Sequence, residues 1–370
     1  MKVLAEKLHF TESYIRLGGV ETLIRQMIAT DKDACVASLL DSFDNGSNVF
    51  GLRPTRWHGA FFLRRNARSK FLSAKYLIFH NYAGLTMLSA VIPHQYRVLF
   101  LHTNSEDVYA LLEERARFLH LIIVSGASLY EEIVNRFPSL GVSICKIEYP
   151  IDDVFFSPVR RDRSSRVTTI GFAGRLEIEQ KQVMRLVQLC RELQLLGIPF
   201  RLEIAGEGSA EAELRQGLPS EGVDFMGTLT SNELRDRLCA WDYLVCVSDY
   251  ETGPLVALEA MACGTIPILP SIRCQATDLT RDTDLSSYRA GDMADAARLI
   301  AGLEQRGVEA IRTQIKAKIE GRSVLAFMTD FENALSHASN SSMVPLPAIS
   351  KGIREFLPFV FRSSKSCFLR

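Results

Sequence analysis

Ser248-Asp249-Tyr250-Glu251-Thr252-Gly253-Pro254-Leu255-Val256-Ala257-Leu258-Glu259-Ala260-Met261-Ala262-Cys263-Gly264 is the stretch from which the rest of the chain can be read. Before it, Tyr243 to Val247 is a short apolar run rich in β-formers, which predicts a buried strand. Gly253 and Pro254 break that strand, and the fixed φ and missing N–H of proline suit the first position of a helix. Leu255 to Cys263 is strong helix-forming sequence, and Gly264 stands where a C-terminal cap belongs. Ile266 to Leu269 reads as the next strand. The whole is strand–turn–helix–strand, half of a doubly wound α/β unit.

Glu251 falls in the turn at the strand's carboxyl end, and Glu259 one to two turns into the helix. In open α/β sheets ligands gather outside the carboxyl ends of the strands. A helix N-terminus there offers unpaired N–H groups and positive dipole to an anion. An anion with a hydroxyl-binding carboxylate on either side has the outline of sugar, diphosphate and ribose. The stretch resembles the E-x7-E signature of the retaining GT-B glycosyltransferases of family 4, the glycosyl transferases group 1, with Thr252 where glycine is usual. That resemblance implies an α/β chain of the GT-B type, two Rossmann-like doubly wound domains facing each other across a cleft. It also implies that Glu251 holds sugar hydroxyls in a catalytic role, that Glu259 holds the ribose, and that Gly253 and Leu255 contact the donor.

At 370 residues the chain suits two domains of ordinary size. Its 47% apolar and 23% charged residues are those of a globular protein. A formal net charge of zero gives nucleic acid no support, and none is expected as a partner. The 8 cysteines show no CxxC spacing, so reduced core thiols are expected rather than zinc or disulfides. Cys145 and Cys246 lie in apolar runs and are expected to be buried. The charged start of the chain does not read as a signal peptide, and no run reaches the ~18 apolar residues of a membrane-spanning helix. A cytoplasmic location is expected, with any membrane contact peripheral.

Gly18-Gly19 directly precedes a predicted helix, where glycine lets backbone approach a ligand closely; the family resemblance places diphosphate or acceptor contact there. Residues 53–75 are basic, with interleaved aromatics and no acid. They suit a helix on an anionic membrane surface, or equally a solvated basic face over core aromatics. Tyr76 to His80 and Arg97 to His102 read as strands that each end in a histidine. His102 resembles the family histidine that faces donor sugar or acceptor; His80 is a weaker candidate. Lys146 to Phe155 stands where the family has its interdomain linker.

Thr168 to Phe172 opens a second α/β half. Gly174-Arg175-Leu176 through Lys181 resembles the family loop in which arginine and lysine hold the donor diphosphate, with Gln182 replacing the usual glycine. The residue types suit that task, a planar charged fork and a flexible point charge. Gly206 ends another strand in a turn that lines the nucleotide pocket in the family, and Ser231 is a plausible N-cap for the helix over 232–240. The expected domains are 1–157 for the acceptor, 158–337 for the nucleotide-sugar, and a basic tail, 338–370, that crosses back over the first domain, touches membrane or stays flexible.

The expected activity is retaining transfer of a sugar from a nucleoside-diphosphate sugar, of UDP or GDP type, to a saccharide or lipid-linked acceptor in cell-envelope polysaccharide or lipopolysaccharide synthesis. No Asp-x-Asp pair matches a metal motif, so neither metal nor cofactor is expected. A non-catalytic GT-B scaffold that binds nucleotide-sugar or membrane is the alternative, kept open by Thr252 and Gln182. A dinucleotide oxidoreductase fails, because no G-x-G-x-x-G follows the first strand.

Overall fold

The computed structural model describes residues 6–15, 18–38, 41, 48–51, 74–81, 95–156 and 167–339. In chain order they form β1 (Lys7–Thr11), α1 (Gly19–Thr30), β2 (Ala34–Ser38), β3 (Val49–Gly51), β4 (Tyr76–His80), β5 (Tyr96–Leu101), α2 (Glu106–Arg115), β6 (Leu121–Ser125), α3 (Ala127–Arg136) and β7 (Ser143–Ile147). There follow β8 (Thr168–Ala173), α4 (Arg185–Leu195), β9 (Phe200–Ala205), α5 (Glu211–Gly217), β10 (Val223–Gly227) and α6 (Ser231–Ala240). The described residues close with β11 (Tyr243–Val245), α7 (Leu255–Cys263), β12 (Ile266–Ile268), α8 (Gln275–Thr280), α9 (Met293–Arg306), α10 (Glu309–Ile319) and α11 (Val324–Ser339).

The described residues divide into two compact units: those up to Ser125, from Leu129 to Ile147 and from Phe327 onward in the first, and those from Gly126 to Ser128 and from Glu148 to Ala326 in the second. The first is a 7-stranded sheet in the order β3-β2-β1-β4-β5-β6-β7. The second is a 5-stranded sheet in the order β10-β9-β8-β11-β12. Every strand pair is parallel. Parallel strands covered on both faces need near-continuous apolar sequence, and runs such as Leu121-Ile122-Ile123-Val124 supply it.

In the first unit Leu8, Phe10, Leu77, Phe79, Leu99 and Leu101 form one core with Val108, Leu112 and Ile133. Phe331 of α11 stacks near Phe100 with centroids 6.4 Å apart. Lys7 Nζ bridges Asp31 at 2.9 Å and Glu332 at 2.7 Å. The division expected at 157/158 therefore differs from the observed one at Ile147/Glu148, and α11 from Phe327 onward joins the first unit rather than the second. Aromatic packing explains the difference, since Phe327 and Phe331 find their partners on the first sheet.

In the second unit, Trp241 is fully buried and donates Nε1–H to Glu203 at 2.8 Å. Its indole lies against Gly171, where any Cβ would come within 2.0 Å of the ring. β11 ends two residues earlier than the expected Val247, because the Val247 carbonyl is taken by Arg185 Nη1 at 2.8 Å instead of a neighbouring strand. α6 is capped by Thr230 and not by Ser231. The Thr230 hydroxyl accepts from Glu233 N, and Glu233 accepts the Thr230 N–H at 2.8 Å, a reciprocal capping box.

Residues 53–73 and the tail beyond Ser339 lie outside the described residues. Lys75, the last basic residue of the first stretch, pairs with Glu6 at 3.6 Å. Among the described residues no helix is long and apolar enough to cross a membrane. The seven described cysteines are free thiols; Cys145 and Cys246, expected to be buried, are half-buried.

Candidate functional site

The second sheet has one change of winding direction. The chain runs outward from β8 through β9 to β10, then returns to the other side of β8 at β11. Loops that follow β8 and β11 therefore leave neighbouring strands in opposite directions, which opens a crevice at their carboxyl ends. Arg175 and Lys181 lie on the first of these loops, and Glu251 on the second.

Hydrogen bonds zip the two loops together. Asp249 N donates to Gln180 O at 3.0 Å, and Gln180 Nε2 donates to Tyr250 O at 3.2 Å. Lys181 Nζ reaches Glu251 Oε1 at 2.5 Å, and the Ser248 hydroxyl donates to the same oxygen at 2.8 Å. Glu251 is 9% exposed, so its charge sits largely out of water and needs these partners. Arg175 donates to Glu177 at 2.8 Å and to Gln180 Oε1 at 2.9 Å, with half of its side chain exposed. Arg185, the first residue of α4, clamps the Glu251 loop from below through the Val247 carbonyl and Asp249 Oδ1 at 2.6 Å.

The glycines have separate reasons. Gly206 adopts φ +127°, and a Cβ there would lie 1.9 Å from the Gly174 carbonyl oxygen, so only glycine lets the β8 and β9 loops cross. A Cβ on Gly253 would meet the Tyr149 ring at 2.2 Å, a packing requirement. Pro254 is the N-cap of α7 and not its first residue; it gives no side-chain cap, so Leu255 opens the helix with backbone N–H groups that proline leaves to other acceptors. Gly264 is the left-handed C-cap expected, at φ +74°. Gln182, where the family has glycine, does adopt the left-handed region at φ +51°.

Glu259 is half-buried within α7. Burial pushes its carboxyl up to about 8, and the nearby Asp152 charge adds to the rise. A carboxyl protonated near neutrality can donate one hydrogen bond and accept others, which suits a vicinal diol.

The remaining candidates belong to the first unit. Gly18 is the N-cap of α1 in extended backbone, and Gly19 is the first helical residue, with no side-chain cap over them. His102 follows β5 and is 5% exposed, with Nε2 at 2.7 Å from His80 Nδ1. Sequence reading passed over Gln180, Ser248 and Arg185. Only their adjacency to Lys181 and Glu251 could have marked them.

Residues 167–306 match the family model described as glycosyl transferases group 1. The GDP-mannose-dependent alpha-(1-6)-phosphatidylinositol dimannoside mannosyltransferase of Mycobacterium tuberculosis is 30% identical over 135 residues, 36% of this chain and 35% of that protein. The GDP-mannose:cellobiosyl-diphosphopolyprenol alpha-mannosyltransferase of Xanthomonas campestris is 27% identical over 41% of this chain and 42% of its own length. The matches thus span well under half of either relative. Among solved structures, Anabaena Alr3699/HepE in complex with UDP and glucose superposes with a TM-score of 0.71 at 17% identity, over 89% of this chain and 99% of that one. Residues 167–306, within the second unit, are thus similar to the glycosyl transferases group 1 family, and the two parallel sheets are those of the GT-B fold.

Proposed function

We propose that this protein is a retaining, metal-independent glycosyltransferase that moves a sugar from a nucleoside-diphosphate sugar to a saccharide or lipid-linked acceptor. The observation that carries the reading is the joining of Arg175, Lys181 and Glu251 by two zipped loops at the switch point of the second sheet, beside the N-terminus of α7. Departure of a diphosphate leaves negative charge that must be met as it develops. Arg175, Lys181 and the first N–H groups of α7 supply fixed positive ends, and each such donor is worth on the order of 2.7–4 kcal/mol of barrier.

Arg175 exchanges Glu177 for phosphate oxygens. The exchange is cheap, because an exposed ion pair contributes only about 0–1 kcal/mol. Glu251 holds hydroxyls of the transferred sugar, Glu259 takes the ribose diol, and Gly206 lines the nucleotide. In the first unit Gly18 and Gly19 contact the donor diphosphate or the acceptor, and His102 faces the donor sugar or the acceptor in a catalytic role. Two relatives named for GDP-mannose and for lipid-linked acceptors support a GDP-type donor and a role in cell-envelope glycan synthesis, and a neighbour solved with UDP keeps a UDP donor in the test. Residues 53–75 would bring the protein peripherally to an anionic cytoplasmic membrane face.

The test is a thermal-shift screen with GDP, UDP, ADP and CMP, each with and without EDTA. One nucleoside diphosphate raises the melting temperature, stabilising the fold by about 2.7 kcal/mol at a concentration a hundredfold above Kd, and EDTA leaves the rise unchanged. A rise that EDTA removes sinks metal independence, and no rise with any nucleotide sinks the donor-site assignment.

A further inference from the structure

Three buried histidines in the first unit form a continuous line that the proposed chemistry does not use in full. His9 sits in the middle of β1, His80 at the end of β4 and His102 one residue past β5. His9 Nδ1 lies 2.9 Å from His80 Nε2, and His80 Nδ1 lies 2.7 Å from His102 Nε2. The rings stack at centroid distances of 5.2 and 5.0 Å. Their exposures are 1%, 2% and 5%. β1 and β4 are also where the first sheet changes its winding direction.

The surroundings are apolar. His9 stacks on Phe331 and His80 on Phe100. Burial pushes the His9 and His102 imidazoles down to about 3, and His80 well below its ordinary value, so all three are neutral at pH 7. The charges of Asp31 and Lys7 act on His9 in opposite directions. A neutral imidazole has one N–H and one lone pair. Both nitrogens of His80 are engaged, so the line has only two consistent arrangements.

In one, His9 Nδ1–H donates to His80, His80 Nδ1–H donates to His102 Nε2, and His102 carries its proton on Nδ1. In the other every donor and acceptor is exchanged, and His102 carries its proton on Nε2. Any mixed arrangement sets two N–H groups or two lone pairs against each other away from water and leaves buried polar atoms unsatisfied. Asn81, in the left-handed region at φ +60°, accepts the His102 N–H through Oδ1 at 2.9 Å and holds the last ring's backbone in place.

We propose that His9 and His80 are positioning residues that set the tautomer of His102 through this line, and so decide whether Nδ1 of His102 is a donor or an acceptor. The role in transfer rests on the reading of His102 as a substrate contact; the coupling of the three rings does not. Phenylalanine or leucine would pack as well among Phe100 and Phe331, but would leave the tautomer of His102 unset.

The test uses the full chain with 15N-labelled histidine and long-range 15N–1H correlation at pH 7.5, with the 7 imidazoles assigned by single substitutions. In the wild type His102 shows one neutral tautomer. In H9L its signals move to the averaged pattern of both tautomers, although the substitution is one ring away, and H9N, whose amide restores a polar atom near the Nδ1 position, returns a single tautomer. Where H9L fails to fold, H9F makes the same cut with a ring beside Phe331. An unchanged His102 pattern in the folded cut variant overturns the coupling. With the nucleotide-sugar that the thermal screen selects, H9L lowers kcat several-fold at constant donor KM. Full turnover in H102A overturns the role in transfer and leaves both the coupling of the rings in the wild type and the transferase reading standing.

Discussion

Each of the two sheets gathers polar side chains beside a change of winding direction, and they do it with opposite electrostatics. In the second unit the groups are charged and paired: Lys181 with Glu251, Arg175 with Glu177, Arg185 with Asp249. In the first they are neutral and linked in series, His9 to His80 to His102. The Arg175–Glu177 pair, with half of the arginine side chain exposed, can change partners at little cost, which suits the proposed anion site. A buried neutral line cannot change one member without disturbing the next. One arrangement is made for exchange and the other for fixed direction.

Acid should separate the two units most sharply. His9 and His102 titrate near 3 when folded and near 6.5 when unfolded, so below pH 6.5 the unfolded chain binds more protons. Their contribution is fully present above pH 6.5 and is lost as pH falls toward 3, by up to about 1.4 kcal/mol per pH unit for each ring. Denaturant melts of wild type and H9L between pH 7 and 4 check it. The variant should show the shallower slope, and parallel slopes would break the contrast.

Next in size is Glu251→Ala, which removes the acceptor common to Lys181 and Ser248. Transfer should fall by 10²-fold or more, about 2.7–4 kcal/mol, with the melting temperature within a few degrees of wild type. Wild-type turnover would remove the second unit's claim to the chemistry. Gly206→Ala should follow, costing at least about 2 kcal/mol of stability, because a side chain at φ +127° meets the Gly174 carbonyl. The thermal response to nucleoside diphosphate should vanish with it.

Glu259→Gln probes the one carboxyl of the second unit that behaves like the first unit's buried groups. Its folded value near 8 lies above the unfolded 4.5, so its contribution is complete below pH 4.5 and lost as pH rises through 8. The glutamine variant should match wild type at pH 5 and exceed it by about 1 kcal/mol at pH 9, a figure kept small by the half-buried position. Equal stabilities at pH 9 would show that Glu259 ionises freely. Smallest is Gln182→Gly: relief of the left-handed backbone, worth about 1–2 kcal/mol, is offset by glycine's greater chain entropy, roughly 0.5–1 kcal/mol. The variant should melt within a few degrees of wild type, so a large shift would mean that Gln182 does more than occupy a turn.

The legible parts of this protein were those written in local sequence. The strand, turn and helix around Glu251, the Gly264 cap and the second doubly wound half follow from apolar runs and turn residues that need no distant partner to be read. The reciprocal cap of α6 was equally local, because Thr230 and Glu233 have capping-box spacing, although Ser231 drew the assignment. Glu251, Arg175 and Lys181 stand out as candidates because the loops that carry them are short and ordered in sequence.

What sequence alone determined is thus the inventory: two parallel α/β halves, two loops bearing cation and carboxylate, and histidines at strand ends. The tertiary structure decided who meets whom. Phe327 and Phe331 carry the last helix to the first sheet because their aromatic partners lie there. Gln180, Ser248 and Arg185 join the site because β8 and β11 are neighbours in the sheet, which brings together loops carrying Lys181 and Glu251, 70 residues apart in sequence. The line of histidines exists only because residues separated by 71 and 22 positions are brought within hydrogen-bond reach in a place without water. Local propensity has no knowledge of such distances; burial and strand order supply them.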